Sequence, residues 1–208
     1  MKKAILLFFS ILMLSRLVAV PDEGMWLPNK IAQLNYADMQ KLGCKLTAEE
    51  IYSINNSSLK DAIFQLQTAE GSGFCTGEIV SKQGLLFTNH HCGYEAITSL
   101  STTEHNYLDN GYWAKSHKDE ISVPGIRVTR VVRIEDVTEQ VLLGITDETS
   151  ESEREKLIKK AITEIEKEAI KDTHFEASVS EMYQGGEYYL FVYEAFGDVR
   201  FVGAPPSS

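Results

Sequence analysis

Residues 71–97 read GSGFCTGEIVSKQGLLFTNHHCGYEAI, and this stretch restricts the fold more than any other. Residues 75–80 and 85–89 are β-prone runs separated by a Gln83-Gly84 turn signal, which predicts an antiparallel hairpin. A two-residue loop there sets Lys82 opposite Leu85 and, in the same register, Cys75 opposite Cys92. Facing residues of an antiparallel ladder lie about 4.5–5.5 Å apart at Cα, a separation a disulfide can span. Turn and cysteines thus point independently to one register. A bulge would shift it by a residue, and a strand ending before Cys92 would take the ladder out of the argument.

The hairpin bears on histidine chemistry. His90 and His91 point to opposite faces if the strand continues, so one of them at most belongs to a given site. A proton-transfer group has to be held by its surroundings, and His91 adjoins the anchored Cys92. His91 is therefore the candidate. The competing reading is a structural hairpin with two surface histidines, and chemistry alone leaves both open.

A strand-borne Cys followed one strand later by Thr-x-x-His-Cys resembles the histidine segment of chymotrypsin-type serine peptidases. The longer string TGEIVSKQGLLFTNHHCGYEAI resembles the S46 peptidases, the dipeptidyl-peptidase 7 and 11 family of bacterial exopeptidases. The likeness extends to DEGMWLP, to NYLDNGYWAKSHKDEISVPGIRVTRVVRIEDVT and to RFVGAPPSS, nearly the whole of residues 20–208. It implies an α+β fold, mainly β with helices: the first half-barrel of a chymotrypsin-like double β-barrel with flanking helices. It implies a serine dipeptidyl-peptidase that releases dipeptides from peptide amino termini, with His91 as general base. Peptides are then the partners, no cofactor or metal is needed, and the full-length form is compatible with a homodimer.

The triad's other members have no candidate here. In the family the acid lies in a Gly-Gly-Asp-Thr-Asp-Asn-Trp motif beyond the Ala-Pro-Pro segment, and the serine lies in a second half-barrel. Asp136, 45 residues after His91, reads as an Asp ending a strand and capping a turn, and Asp198 matches no family motif. Ser72 precedes the base in chain order. The expectation is an amino-terminal fragment, inactive alone. Two alternatives accompany it: a non-catalytic exported binding module on the same fold, and a metal site of His90, His91, Cys92 and Cys75. Adjacent ligands fit a tetrahedral centre poorly, and an exported cysteine pair favours the disulfide.

Residues 1–19 read as a secretory signal, with Lys2 and Lys3 ahead of an apolar run too short to span a bilayer and 17–19 as cleavage site. Export to the periplasm or cell surface permits the Cys75–Cys92 bridge and leaves Cys44 unassigned. Losing Lys2, Lys3 and Arg16 takes the net charge from −10 to about −13. Such an acidic chain disfavours nucleic acid, and no second apolar run is long enough for a membrane. With 43% hydrophobic and 24% charged residues, a packed core is expected.

Helical spacing predicts helices over 31–42 (with Gly43 as cap), over a short stretch from the Thr47 capping box, over 58–67, over 92–100 and over 147–173. Strands are predicted over 126–134, 179–182, 188–195 and 198–202, with a turn at Gly185-Gly186. The aromatic patch at 107–113 reads as core or lid packing. The early helices, 58–67 included, read as packing around a barrel.

Overall fold

A computed structural model describes residues 26–207, so the signal stretch lies outside the described residues. Its centre is one antiparallel sheet with strand order β3-β2-β1-β6-β8-β7. The strands are β1 (Ile63–Thr68), β2 (Gly73–Ile79), β3 (Leu86–Thr88), β6 (Ile126–Asp136), β7 (Glu176–Met182) and β8 (Glu187–Phe196). Four two-residue strands pair outside it: β4 (Tyr112–Trp113) with β10 (Gly203–Ala204), and β5 (Ile121–Ser122) with β9 (Arg200–Phe201). Among the described residues, no helix is long and apolar enough to cross a membrane. The expected α+β class holds.

The core forms where β8 is apolar on both faces. Tyr189 and Val192 are 0% exposed, and Tyr188 and Leu190 join Val137 and Val141 in the main cluster. The helix Glu151–Ala169 covers that cluster with Ile158, Ile162, Ile165 and Ala169, members of the stripe its 3.6-residue period predicts. Its Glu166 also accepts from the Val179 amide at 2.8 Å, which occupies a free donor on the edge strand β7.

The amino-terminal helices dock through Tyr52. The β6–β8 register slips between Val131 and Arg133, and just beyond that irregularity the Ile134 amide donates to the Tyr52 hydroxyl at 2.8 Å. Thr47 and Glu50 form the expected capping box, and Gly43 takes the left-handed φ of +100° beyond Tyr36–Lys41. The 107–113 patch packs Tyr107 on Tyr112 (5.0 Å between ring centres) and Tyr112 on Phe201 (5.4 Å).

Four expectations change. The helix expected over 31–42 breaks at Asn35 into Ile31–Leu34 and Tyr36–Lys41. The segment 58–67 is not one helix: a 3-10 turn at Leu59–Ala62, capped by Ser58 as expected, leads directly into β1. The spacing of Ala62, Ile63 and Leu66 fits a helix, but pairing with β2 on one side and β6 on the other satisfies the backbone and buries Phe64 and Leu66. The long helix ends at 151 and 169, inside the predicted limits. The strand expected at 198–202 shortens to β9, which pairs with β5, and β10 lies just beyond it, paired with β4.

Candidate active site

The hairpin forms, with a different turn. Gly77 faces Thr88 and Ile79 faces Leu86, and a Val80-to-Leu85 hydrogen bond of 2.8 Å closes a loop of residues 81–84. The Ser81 hydroxyl accepts from the Gln83 and Leu85 amides, and Gly84 supplies the φ of +82° the loop requires. This register would set Cys75 opposite His90, not Cys92. The strand stops first. Thr88 is its last residue, and a helix runs from His90 to Leu100.

The sulfur bridge nevertheless joins Cys75 and Cys92, with Cα atoms 5.9 Å apart. Asn89 is the pivot: its carbonyl accepts from the Cys92 amide at 3.0 Å, and the first helical turn carries Cys92 back to β2. The pairing expected from a continuous ladder is correct, while the connecting element is a helix. The two histidines therefore diverge by roughly 100° around a helix axis instead of facing opposite ways on a strand. His90 meets the Tyr94 ring edge-on at 6.0 Å, a neighbour one turn along. His91 turns the other way.

His91 is exposed and lines an open cleft of about 370 Å³ beside the bridge, together with Gln65, Gly73, Cys75, Asn89 and Cys92. The cleft opens on β2 where β3 no longer covers it, since β3 pairs only with Gly77–Ile79. One side of His91 is thus anchored through its neighbour's bridge and the other faces solvent. Its ring forms no hydrogen bond or ion pair among the described residues. Such an imidazole can exchange a proton with a group brought into the cleft.

A ligand nitrogen of His91 and the sulfurs of Cys75 and Cys92 lie within 4.8 Å of one another. That spacing suits a metal ion, but the two sulfurs are bonded to each other and offer no thiolates. Only the imidazole is left as a ligand, and His90 is turned toward Tyr94. Cys44 is the remaining free thiol, half-buried, with its Sγ 3.8 Å from the Leu46 carbonyl.

The two aspartates weighed from sequence are engaged elsewhere. Asp136 accepts from the Thr138 amide (3.1 Å) and hydroxyl (2.6 Å) and pairs with Lys30 at 3.6 Å. The Thr138 hydroxyl, with Lys30 in support, holds its carboxyl below the usual value. Asp198 is clasped by Arg200 through bonds of 2.9 and 2.7 Å. Neither lines the cleft. Ser72 lies in the β1–β2 turn, where its carbonyl accepts from the Thr68 amide.

Gln65 is the cleft residue that sequence reading missed, because it fell within a predicted helix. The signal was present: Phe64 and Leu66 alternate with Gln65 and Gln67, the period of a strand.

The model of the family Peptidase S46 matches residues 21–208. A dipeptidyl-peptidase 7 of Capnocytophaga gingivalis is 49% identical over 187 residues, covering 90% of this chain and 26% of that protein. An Asp/Glu-specific dipeptidyl-peptidase of the same organism is also 49% identical, over 89% of this chain and 25% of its own length. Among solved structures, Porphyromonas endodontalis DPP11 in an alternate conformation superposes with a TM-score of 0.75 at 38% identity, covering 89% of this chain and 27% of that one. Its complex with the dipeptide Arg-Glu gives 0.72 at 38% identity, with the same coverage. The chain spans about a quarter of the length of the curated relatives it matches.

Proposed function

Because this chain belongs to the peptidase S46 family, we propose that it is the amino-terminal part of the catalytic domain of an exported serine dipeptidyl-peptidase, with His91 as the general base. The observation that carries the reading is the placement of His91: exposed in a cleft, next to a cysteine bridged to β2. In this role the imidazole takes the proton of a serine hydroxyl as it attacks the scissile carbonyl, then returns it to the departing amine. The serine and the orienting carboxylate come from outside these 208 residues, as do the groups that read the substrate's free amino end. Peptides are the substrates, the periplasm or cell surface is the location, and a homodimer is the assembly to look for.

The test uses the open reading frame expressed from Met1 to its own stop codon and assayed with dipeptidyl-methylcoumarylamides. His91→Ala should abolish release of the fluorophore, while His90→Ala should leave measurable turnover, since His90 packs on Tyr94 instead of lining the cleft. Loss of activity in the His90 variant with retention in the His91 variant would overturn the assignment.

A further inference from the structure

We infer that Gln65 is a substrate-binding residue of the same cleft, donating through Nε2 to a carbonyl oxygen of the bound peptide. The inference rests on the reading of the cleft as a peptidase site. A chain of hydrogen bonds fixes this amide from a distance. Glu176 of β7 grips Arg127 of β6 through bonds of 2.5 Å to Nη1 and 2.8 Å to Nη2. Arg127 Nε donates to Gln67 Oε1 at 2.9 Å, and Gln67 Nε2 donates to Gln65 Oε1 at 2.7 Å.

Each link decides the next. A guanidinium only donates, so the Gln67 oxygen must face Arg127. The Gln67 amide nitrogen then faces Gln65 and claims its oxygen. What Gln65 has left for the cleft is its NH2 group, a donor with no acceptor among the described residues. Gln67 is buried, so the chain is shielded from competing water along part of its length.

Gly73 supplies an independent observation. A Cβ built at Gly73 would lie 2.3 Å from Gln65 Nε2 and 2.6 Å from its Cδ. The amide thus rests against bare backbone at the start of β2, where both residues line the cleft that holds His91. A preset donor beside a proton-transfer group suits a ligand rich in acceptors, and the carbonyls of an extended peptide are such a ligand.

The experiment uses the same polypeptide expressed to its own stop codon, with Ala-Leu- and Ala-Asp-methylcoumarylamides as probes, one apolar and one acidic, and reads the variants on whichever wild type turns over. Gln65→Met keeps the length of the side chain and removes the donor. It should lower kcat/KM about five- to tenfold, the effect of one hydrogen bond, and leave the acid limb of the pH profile in place. Gln65→Glu puts a carboxylate into the cleft, which favours the imidazolium of His91 and should move the acid limb to higher pH. That shift reports that residue 65 shares the cleft with His91, while the loss of kcat/KM without a change of acid limb in Gln65→Met reports the lost substrate hydrogen bond. If wild type turns over and Gln65→Met matches it in kcat/KM, the inference falls and the peptidase reading stands. If wild type releases fluorophore from neither probe, the peptidase reading falls and takes the inference with it.

Discussion

Removing the Cys75–Cys92 bridge should lower the stability of this chain by about 3 kcal/mol. The two cysteines are 17 residues apart. Closing a loop of that size withdraws about 10–11 cal/mol/K from the unfolded ensemble, which at 25 °C is about 3 kcal/mol. A domain of this size loses about 2–4 °C of melting temperature per kcal/mol, so the Cys75→Ala/Cys92→Ala variant should melt about 6–12 °C lower. Reduced wild type should melt within a few degrees of that variant, because the lost crosslink and not the lost sulfur dominates. Cys92 is buried and contributes some packing, which biases the double variant toward the larger figure.

Urea titration is the suitable assay, analysed for free energy and not for midpoint alone. An uncrosslinked unfolded chain is more expanded, so the m-value should rise on reduction while the free energy falls. Thiol titration of the denatured, unreduced chain supplies the companion number: one thiol, that of Cys44. Three thiols before reduction, or a stability change below about 1 kcal/mol, would refute the argument that the bridge anchors the start of the His90–Leu100 helix.

Leu190→Ala should cost about 2–5 kcal/mol in the same assay, because Leu190 is 3% exposed within the cluster under the Glu151–Ala169 helix and its removal leaves a cavity. Asp136→Asn should make stability less dependent on pH in acid. The Asp136 carboxyl is held below its ordinary value of 3.8, chiefly by the Thr138 hydroxyl. Its contribution is therefore complete above 3.8 and disappears as pH falls through the lower folded value. Unchanged acid-limb stability in the Asn variant would remove Asp136 from that account.

Which parts were legible in the sequence follows from the range over which each signal acts. The Thr47 capping box, the Gly43 cap, the apolar stripe of the long helix and the two-faced apolar run of β8 are local patterns, and each appears where it was expected. The pairing of Cys75 with Cys92 was legible too, since few geometries bring two cysteines 17 residues apart together across a hairpin. The signal peptide reading concerns residues outside those described, and the sequence remains its sole support.

Tertiary structure decided the rest. Residues 63–68 have a spacing that serves helix or strand, and the free edges of β2 and β6 made them β1. A four-residue loop in place of a two-residue one moved the hairpin register, and the turn at Asn89 restored the bridge from a helix. That helix, not strand alternation, sends His91 to the cleft and His90 to Tyr94. The Glu176–Arg127–Gln67–Gln65 chain joins β7, β6 and β1, which lie far apart in sequence. Short-range chemistry fixed which residues could crosslink, cap and pack, whereas competition among distant backbone partners decided which side chains share the cleft.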